Sequence, residues 1–139
     1  MGSEGDYGRV GDVAPAIETV RAIYAAFARR DVEGAIGHMA PDISFAPAGT
    51  AARLGRTDPY VGHDGIRRYF TDVARVWEEL TLVADDIRAT AGGVVVFGTV
   101  TGRLDGEPFR ATSVWIWRVH DGKAISMRVS VLDGALPDG

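Results

Sequence analysis

The sequence predicts an α+β domain in which three helices and a short strand precede a four-stranded antiparallel meander. Three observations carry this. The apolar period changes from about 3.6 to about 2 residues near Thr81 and stays there to Leu132. Asp105-Gly106 and Asp121-Gly122 punctuate that second half, and Asp-Gly pairs favour two-residue hairpins because both turn positions need positive φ. The segment Phe109–Val119 (FRATSVWIWRV) is dense in the β-branched and aromatic residues that suit a pleated surface.

Pro15–Arg30 is predicted as the first helix. Pro15 suits a first-turn position. Ile17, Val20, Ile23, Tyr24 and Phe27 form one apolar stripe. Arg29 and Arg30 close the last turn, where cations complement the helix dipole. Asp31 caps a short second helix with Val32, Ala35, Ile36 and Met39 inward, ended by Pro41. Ile43–Phe45 is a short strand. The loop Ala46–Gly62 follows, and its seventeen residues are enough for a lid or binding loop. His63–Leu80 is the third helix, with Asp64 in its first turn and Ile66, Tyr69, Phe70, Val73, Val76 and Trp77 on one stripe. Four strands complete the pattern: Thr81–Thr90, Val94–Arg103, Phe109–Val119 and Ala124–Leu132, with Ala91-Gly92-Gly93 as the first turn. Met1–Ala14, rich in glycine and charge, is expected to be a disordered arm. Residues 134–139 are expected to be a flexible tail, leaving 15–133 as the domain.

Composition narrows the function. The 139 residues suit one domain, and 46% hydrophobic content is enough for a core. The net charge of −4 and the absence of any basic run longer than two residues argue against a nucleic-acid partner. No cysteine is present, so there is no disulfide framework and no thiol chemistry. No apolar run approaches a membrane span, and no signal-peptide pattern opens the chain, so a cytoplasmic protein with no membrane partner is expected. The catalytic inventory is narrow: three histidines and nineteen acids. The histidines lack metal-ligand spacing, and no nucleotide motif occurs, so neither a metal nor a cofactor is expected.

Within Phe109–Val119, Ser113, Trp115, Trp117 and Val119 share one face, and Thr112, Val114, Ile116 and Arg118 the other. The two tryptophans are either core or the floor of an apolar pocket, where the indole N–H can orient a ligand. Tyr24, Phe27, Met39, Phe45, Phe70 and Trp77 are stripe residues of the core that could also wall such a pocket. Tyr24 and Tyr60 carry hydroxyls, and Tyr60, in the long loop, is the better lid candidate. His63 is either a helix-start residue or an acid/base at the pocket rim, since histidine titrates near neutrality. His38 is expected to be structural and His120 exposed. Asp85 and Asp86 are adjacent in a strand and so point to opposite faces, which would let one act as a buried base. Asp133 is expected to be exposed.

The element order resembles the nuclear transport factor 2-like superfamily, and within it the SnoaL-like and ketosteroid-isomerase-like branch. Three stretches carry the resemblance: IYAAFARRDVEGAIGHMAPDISF (23–45), PYVGHDGIRRYF (59–70) and SVWIWRVHDGKAISMRVSVLD (113–133). They hold Ala40-Pro41-Asp42 at the strand entry, Gly62, Ile66 and Arg67 opening the third helix, and a Trp-to-Asp-Gly-Lys hairpin. The resemblance implies a cone: three N-terminal helices packed on a curved, mainly antiparallel β-sheet around a pocket, often with a homodimer through the outer face of the sheet. The apolar run Val94–Phe97 suits a strand buried on both faces, in keeping with such an interface. The resemblance also implies that Arg128 faces the pocket, the alternative being a salt bridge on the outer face.

The resemblance does not fix a reaction. Ketosteroid isomerases place a carboxylate base just after the first strand, yet residues 43–57 contain no Asp or Glu, and Phe45-Ala46-Pro47 fills that place. Their second acid falls at about Trp115, and their helix-one tyrosine falls nearest Ile23 or Tyr24. Limonene-epoxide-hydrolase-like members need an Asp–Arg–Asp set; here Arg128 is followed by Val129 and Ser130. The expectation is a pocket protein that binds a small, largely apolar cyclic molecule. If it is an enzyme, it would act by metal-free general acid/base chemistry of the isomerase, cyclase or hydrolase type, through His63, Arg128 and Tyr60. The alternatives are a non-catalytic carrier or sensor and a dimeric association module.

Overall fold

The computed structural model describes residues 2–47, 54–55, 58–91 and 93–130, with side chains from Pro15 onward. Asp133 and the tail 134–139 lie outside the described residues, as do Gly92 and much of the long loop. The elements are α1 (Gly2–Ala28), α2 (Val32–Ile36), β1 (Met39–Ala46), β2 (Tyr60–Val61), α3 (Gly62–Val76), β3 (Glu79–Thr90), β4 (Gly93–Leu104), β5 (Glu107–His120) and β6 (Lys123–Ser130). One six-stranded sheet has the order β2-β1-β6-β5-β4-β3. Its pairs are antiparallel except for β1, which runs parallel to β6.

Two expectations about the helices change. Only α1 and α2 precede the sheet; α3 is inserted between β2 and β3, so the helices are not all N-terminal to the strands. The chain is also helical from Gly2, and Pro15 lies inside α1 rather than at its start. Proline's fixed φ is already helical, so its position alone does not mark a boundary.

The end of α1 is a Schellman-type stop. Asp31 N–H donates to Ala26 O at 2.9 Å and Arg30 N–H to Phe27 O at 3.0 Å, with Arg30 in the left-handed region at φ 57. Asp31 then caps α2: its carboxylate accepts from Gly34 N–H at 2.9 Å. Met39 begins β1 instead of closing α2. Pro41 sits inside β1, where the register with β6 jumps between Met39 and Ser44. A proline is tolerated there because a bulge demands no ladder N–H.

Helix α3 stops at Val76, four residues before its expected end. Trp77 still donates its N–H to Val73 O, but its own backbone is extended, and Glu78 N–H already pairs with Arg103 O at 2.9 Å. The meander forms as the turns predict. Asp105-Gly106 and Asp121-Gly122 all have positive φ, giving the tight hairpins β4–β5 and β5–β6.

The helices cover one face of the sheet. Val94, Val96, Trp115, Trp117, Ala124 and Met127 are buried beneath them with Val20, Ile23 and Tyr24 of α1 and Ile66 and Val73 of α3. Gly98 lies on that inner face. A Cβ there would overlap the Trp115 ring and the Val83 carbonyl, so glycine lets the tryptophan lie flat against β4.

Candidate functional site

The inner face divides into a packed part and a half-covered part. In the packed part Trp115 and Trp117 are 5% and 1% exposed. Trp117 Nε1–H donates to the Tyr24 hydroxyl at 3.1 Å. Tyr24 lies 5.4 Å from Trp115 and 5.8 Å from Trp117, and Phe45 6.0 Å from Trp117, between ring centroids. Phe27 and Tyr69 continue the stack, with Tyr69 4.8 Å from Phe45. These rings fill the space between α1, α3 and the sheet. Burial pushes the Tyr24 phenol up from its ordinary value, so it stays protonated as the acceptor for Trp117.

Beyond the tryptophans the cover thins. Strand register aligns Ala84, Gly98 and Ser113 in one inner row and Leu82, Val100 and Ala111 in the next. Ala84, Ser113, Leu82, Val100 and Ala111 are half-buried, as is Val129 opposite Trp115. This surface is apolar apart from the Ser113 hydroxyl. At the end of α1 it meets a narrow cavity of about 30 Å³ lined by Phe27, Ala28, Arg30, Tyr69, Phe70, Leu80, Thr81 and Leu82. Trp77 closes another side, its ring 5.3 Å from Phe109.

A second buried polar pair joins Tyr60 and Asp72. The Tyr60 hydroxyl donates to Asp72 Oδ2 at 2.6 Å, and Asp72 is 4% exposed. Tyr69 lies between this pair and the cavity: its ring is 5.6 Å from that of Tyr60, and it also lines the cavity. Tyr60 is thus held in β2 under α3 rather than free in a loop as a lid. Sequence reasoning missed Asp72. Its position three residues after Tyr69 places it on the inward stripe, but a carboxylate reads as exposed by default.

Other expectations shift. Arg128 is exposed and pairs in register with Ile116, so it lies on the outer face, opposite Trp115 and Trp117. A bulge in the β5–β6 pairing between Arg118 and Val119 shifts β6 by one residue and turns Arg128 away from Trp115, which it would oppose in the unbroken register of the Asp121-Gly122 hairpin. His63 is half-buried at the start of α3, with Nε2 3.0 Å from Met39 O, so it ties α3 to β1. His38 is half-buried and His120 exposed, the latter 3.3 Å from Asp121. Asp85 and Asp86 do not face opposite ways. A bulge between Ala84 and Asp86 puts both outward, with Asp85 accepting from Thr99 Oγ1 and Asp86 from Arg88 Nε, each at 2.7 Å.

Outside this region Arg67 of α3 bridges to Glu33 of α2 and to Asp64. The guanidinium holds the Glu33 carboxyl below its ordinary value, and the two carboxylates raise Arg67. Among the described residues no three His, Asp or Glu side chains gather as metal ligands, and no helix is long and apolar enough to cross a membrane.

Comparison with known proteins agrees with this architecture. No curated protein matches the chain. TerC, in a structure co-crystallised with polyporic acid, is similar with a TM-score of 0.78 and 30% identity over 89% of this chain and 96% of TerC. An NTF2-like protein of unknown function from Burkholderia pseudomallei is similar with a TM-score of 0.76 and 26% identity over 85% of this chain and 91% of its own. A polyketide cyclase candidate from Xanthomonas campestris pv. campestris shares the fold, with a TM-score of 0.68 and 17% identity over 86% and 91%. The SnoaL-like domain model matches residues 20–127. The chain belongs to the SnoaL-like domain family, within the NTF2-like superfamily.

Proposed function

We propose that this chain binds a small, largely apolar cyclic molecule on the half-covered inner face of its sheet, and converts it by general acid/base chemistry of its own side chains. The observation that carries the reading is the incomplete burial of inward residues. Leu82, Ala84, Val100, Ala111 and Val129 face the helices yet remain half-buried, while Val94, Val96 and Trp117 beside them are sealed. An apolar wall left partly wet on a concave surface gains by taking up an apolar ring. The co-crystallisation of the relative TerC with polyporic acid supports a cyclic ligand. Asp72 and Tyr60 lie one ring away from the cavity across Tyr69, so in this reading they hold that wall in place and do not themselves touch the bound molecule.

Trp115 reports on the test, since its ring borders Gly98 in the half-covered row. Titration of its fluorescence with polyporic acid, flat polycyclic ketones and terpene epoxides is expected to give saturable quenching that Trp115→Phe removes. Mass spectrometry of each bound compound then checks turnover. Binding without turnover in the wild type would make the chain a carrier or sensor. A flat response across the panel would leave the association reading.

A second specific observation favours a dimer in either case. Phe97 and Val83 are 39% and 43% exposed on the outer face, beside Val95, Val114 and Ile116. We infer a cytoplasmic homodimer through this face.

A further inference from the structure

We propose that Arg30 sets the specificity of this site and that its ligand is an anion: a flat cyclic molecule carrying a carboxylate or an equally acidic hydroxyl. This rests on the pocket reading above and narrows its substrate class. Arg30 occupies the position after α1 where glycine is usual, because φ there is 57 and a Cβ is disfavoured. An arginine held there is fixed at the backbone while its side chain is aimed by the turn. The guanidinium reaches across to β3, and its Nη2 donates to Leu80 O at 2.5 Å. That bond uses one of five N–H donors. No carboxylate pairs with Arg30 among the described residues, a condition it shares with Arg68, Arg75, Arg110, Arg118 and Arg128, and what sets it apart from them is the aromatic-lined cavity it borders.

The surroundings make the placement selective. Phe27, Tyr69, Phe70, Leu80 and Leu82 line the same narrow cavity as Arg30. Leu82 pairs with Val100, which continues the half-covered inner face. A ring lying on that face would therefore bring an acidic substituent to the cavity mouth, against the planar fork of donors that the exposed Arg30 places at the rim of the aromatic-lined cavity. Arginine suits this role because its fork matches a carboxylate in two parallel hydrogen bonds and is weakly hydrated. An apolar neutral molecule would gain nothing from it.

The test uses matched pairs of probes: biphenyl-4-carboxylate with biphenyl-4-carboxamide, and naphthalene-2-carboxylate with its carboxamide, titrated by tryptophan fluorescence. The wild type is expected to bind each acid about tenfold more tightly than its amide, the order expected for a charge-assisted pair. Arg30→Gln is expected to bring acid and amide within about twofold, and Arg30→Lys to restore part of the preference, because a point charge replaces the fork. Arg30→Gly also removes the guanidinium but relieves the positive φ, so it should melt no lower than the wild type while showing the same lost preference. Acid and amide binding equally in the wild type, or a preference surviving in Arg30→Gln, would overturn the assignment and leave the pocket standing. Absence of saturable binding by all four probes would overturn the pocket reading and this assignment together.

Discussion

The single hydrogen bond from Trp117 to Tyr24 ties β5 to α1 in the driest part of the molecule. Tyr24→Phe removes the acceptor and leaves an indole N–H buried without a partner. The expected loss is about 1–3 kcal/mol, read from the urea midpoint. The same residue gives a pH dependence. Its phenol is held above the ordinary value by burial, so the folded chain keeps a proton that the unfolded chain releases near pH 10. Its contribution is therefore fully present below about pH 10 and is lost as pH rises further; Tyr24→Phe should flatten the alkaline limb of stability against pH. Asp72 is the other residue of consequence. Asp72→Ala removes the buried carboxylate that accepts from the Tyr60 hydroxyl and should destabilise by about 1–3 kcal/mol, whereas Asp72→Asn keeps an acceptor and should cost less. The inward direction of Trp115 and Trp117 was legible from alternation, whereas the outward direction of Arg128 was not, because the bulge between Arg118 and Val119 shifts β6 against β5 by one residue. The bond to Tyr24 was not, because it joins residues 93 positions apart. The facing of Asp85 and Asp86 was misread because a bulge breaks the alternation on which the reading rests.

Local chemistry decided which elements could be read in advance. The hairpins β4–β5 and β5–β6 are encoded by Asp-Gly pairs whose φ values leave little choice. The cap of α2 is encoded by Asp31, and Asp31→Ala should lower stability by about 1 kcal/mol, measured by thermal or urea unfolding. The parallel pairing of β1 with β6 was not legible. It depends on a crossover through α3 and the whole meander, and nothing within either strand announces the partner. Nor was the full length of β1, since Pro41 reads as a stop until the bulge around it is known. Gly98 is the element-scale test of the inner face. Gly98→Ala would drive a methyl into the Trp115 ring and the Val83 carbonyl, so either β3 or the tryptophan must move. The expected cost is about 1–3 kcal/mol, with a changed tryptophan emission that a surface substitution such as Thr112→Ala would not produce.

The molecule as a whole has a sheet with one face buried by helices and the other bare. The bare face is not uniformly polar. Val83 on the edge strand β3 and Phe97 on β4 beside it are exposed, Val95 and Ile116 are half-covered, and Val114 is buried between neighbours. Around them Asp85, Asp86 and Arg88 lie on β3, where Arg88 pairs with Asp86, and Arg118 and Arg128 lie on β5 and β6. A two-fold copy laid on this face would cover Val83 and Phe97 with the same apolar patch of its partner, which is the self-complementary arrangement a closed dimer requires. Sedimentation velocity at micromolar concentration is therefore expected to show a dimer. Phe97→Lys should convert it to a monomer, because a lysine at the centre would be buried without a partner. Raised salt should weaken the dimer only in part, since the charges sit at the rim and the centre is apolar. The inner site is formed within one chain, so monomeric Phe97→Lys should keep the ligand titration of the wild type. A wild type that sediments as a monomer across this range would return the outer face to the status of an ordinary solvent-facing sheet, with Phe97 held only against the Arg88 guanidinium 5.8 Å from its ring.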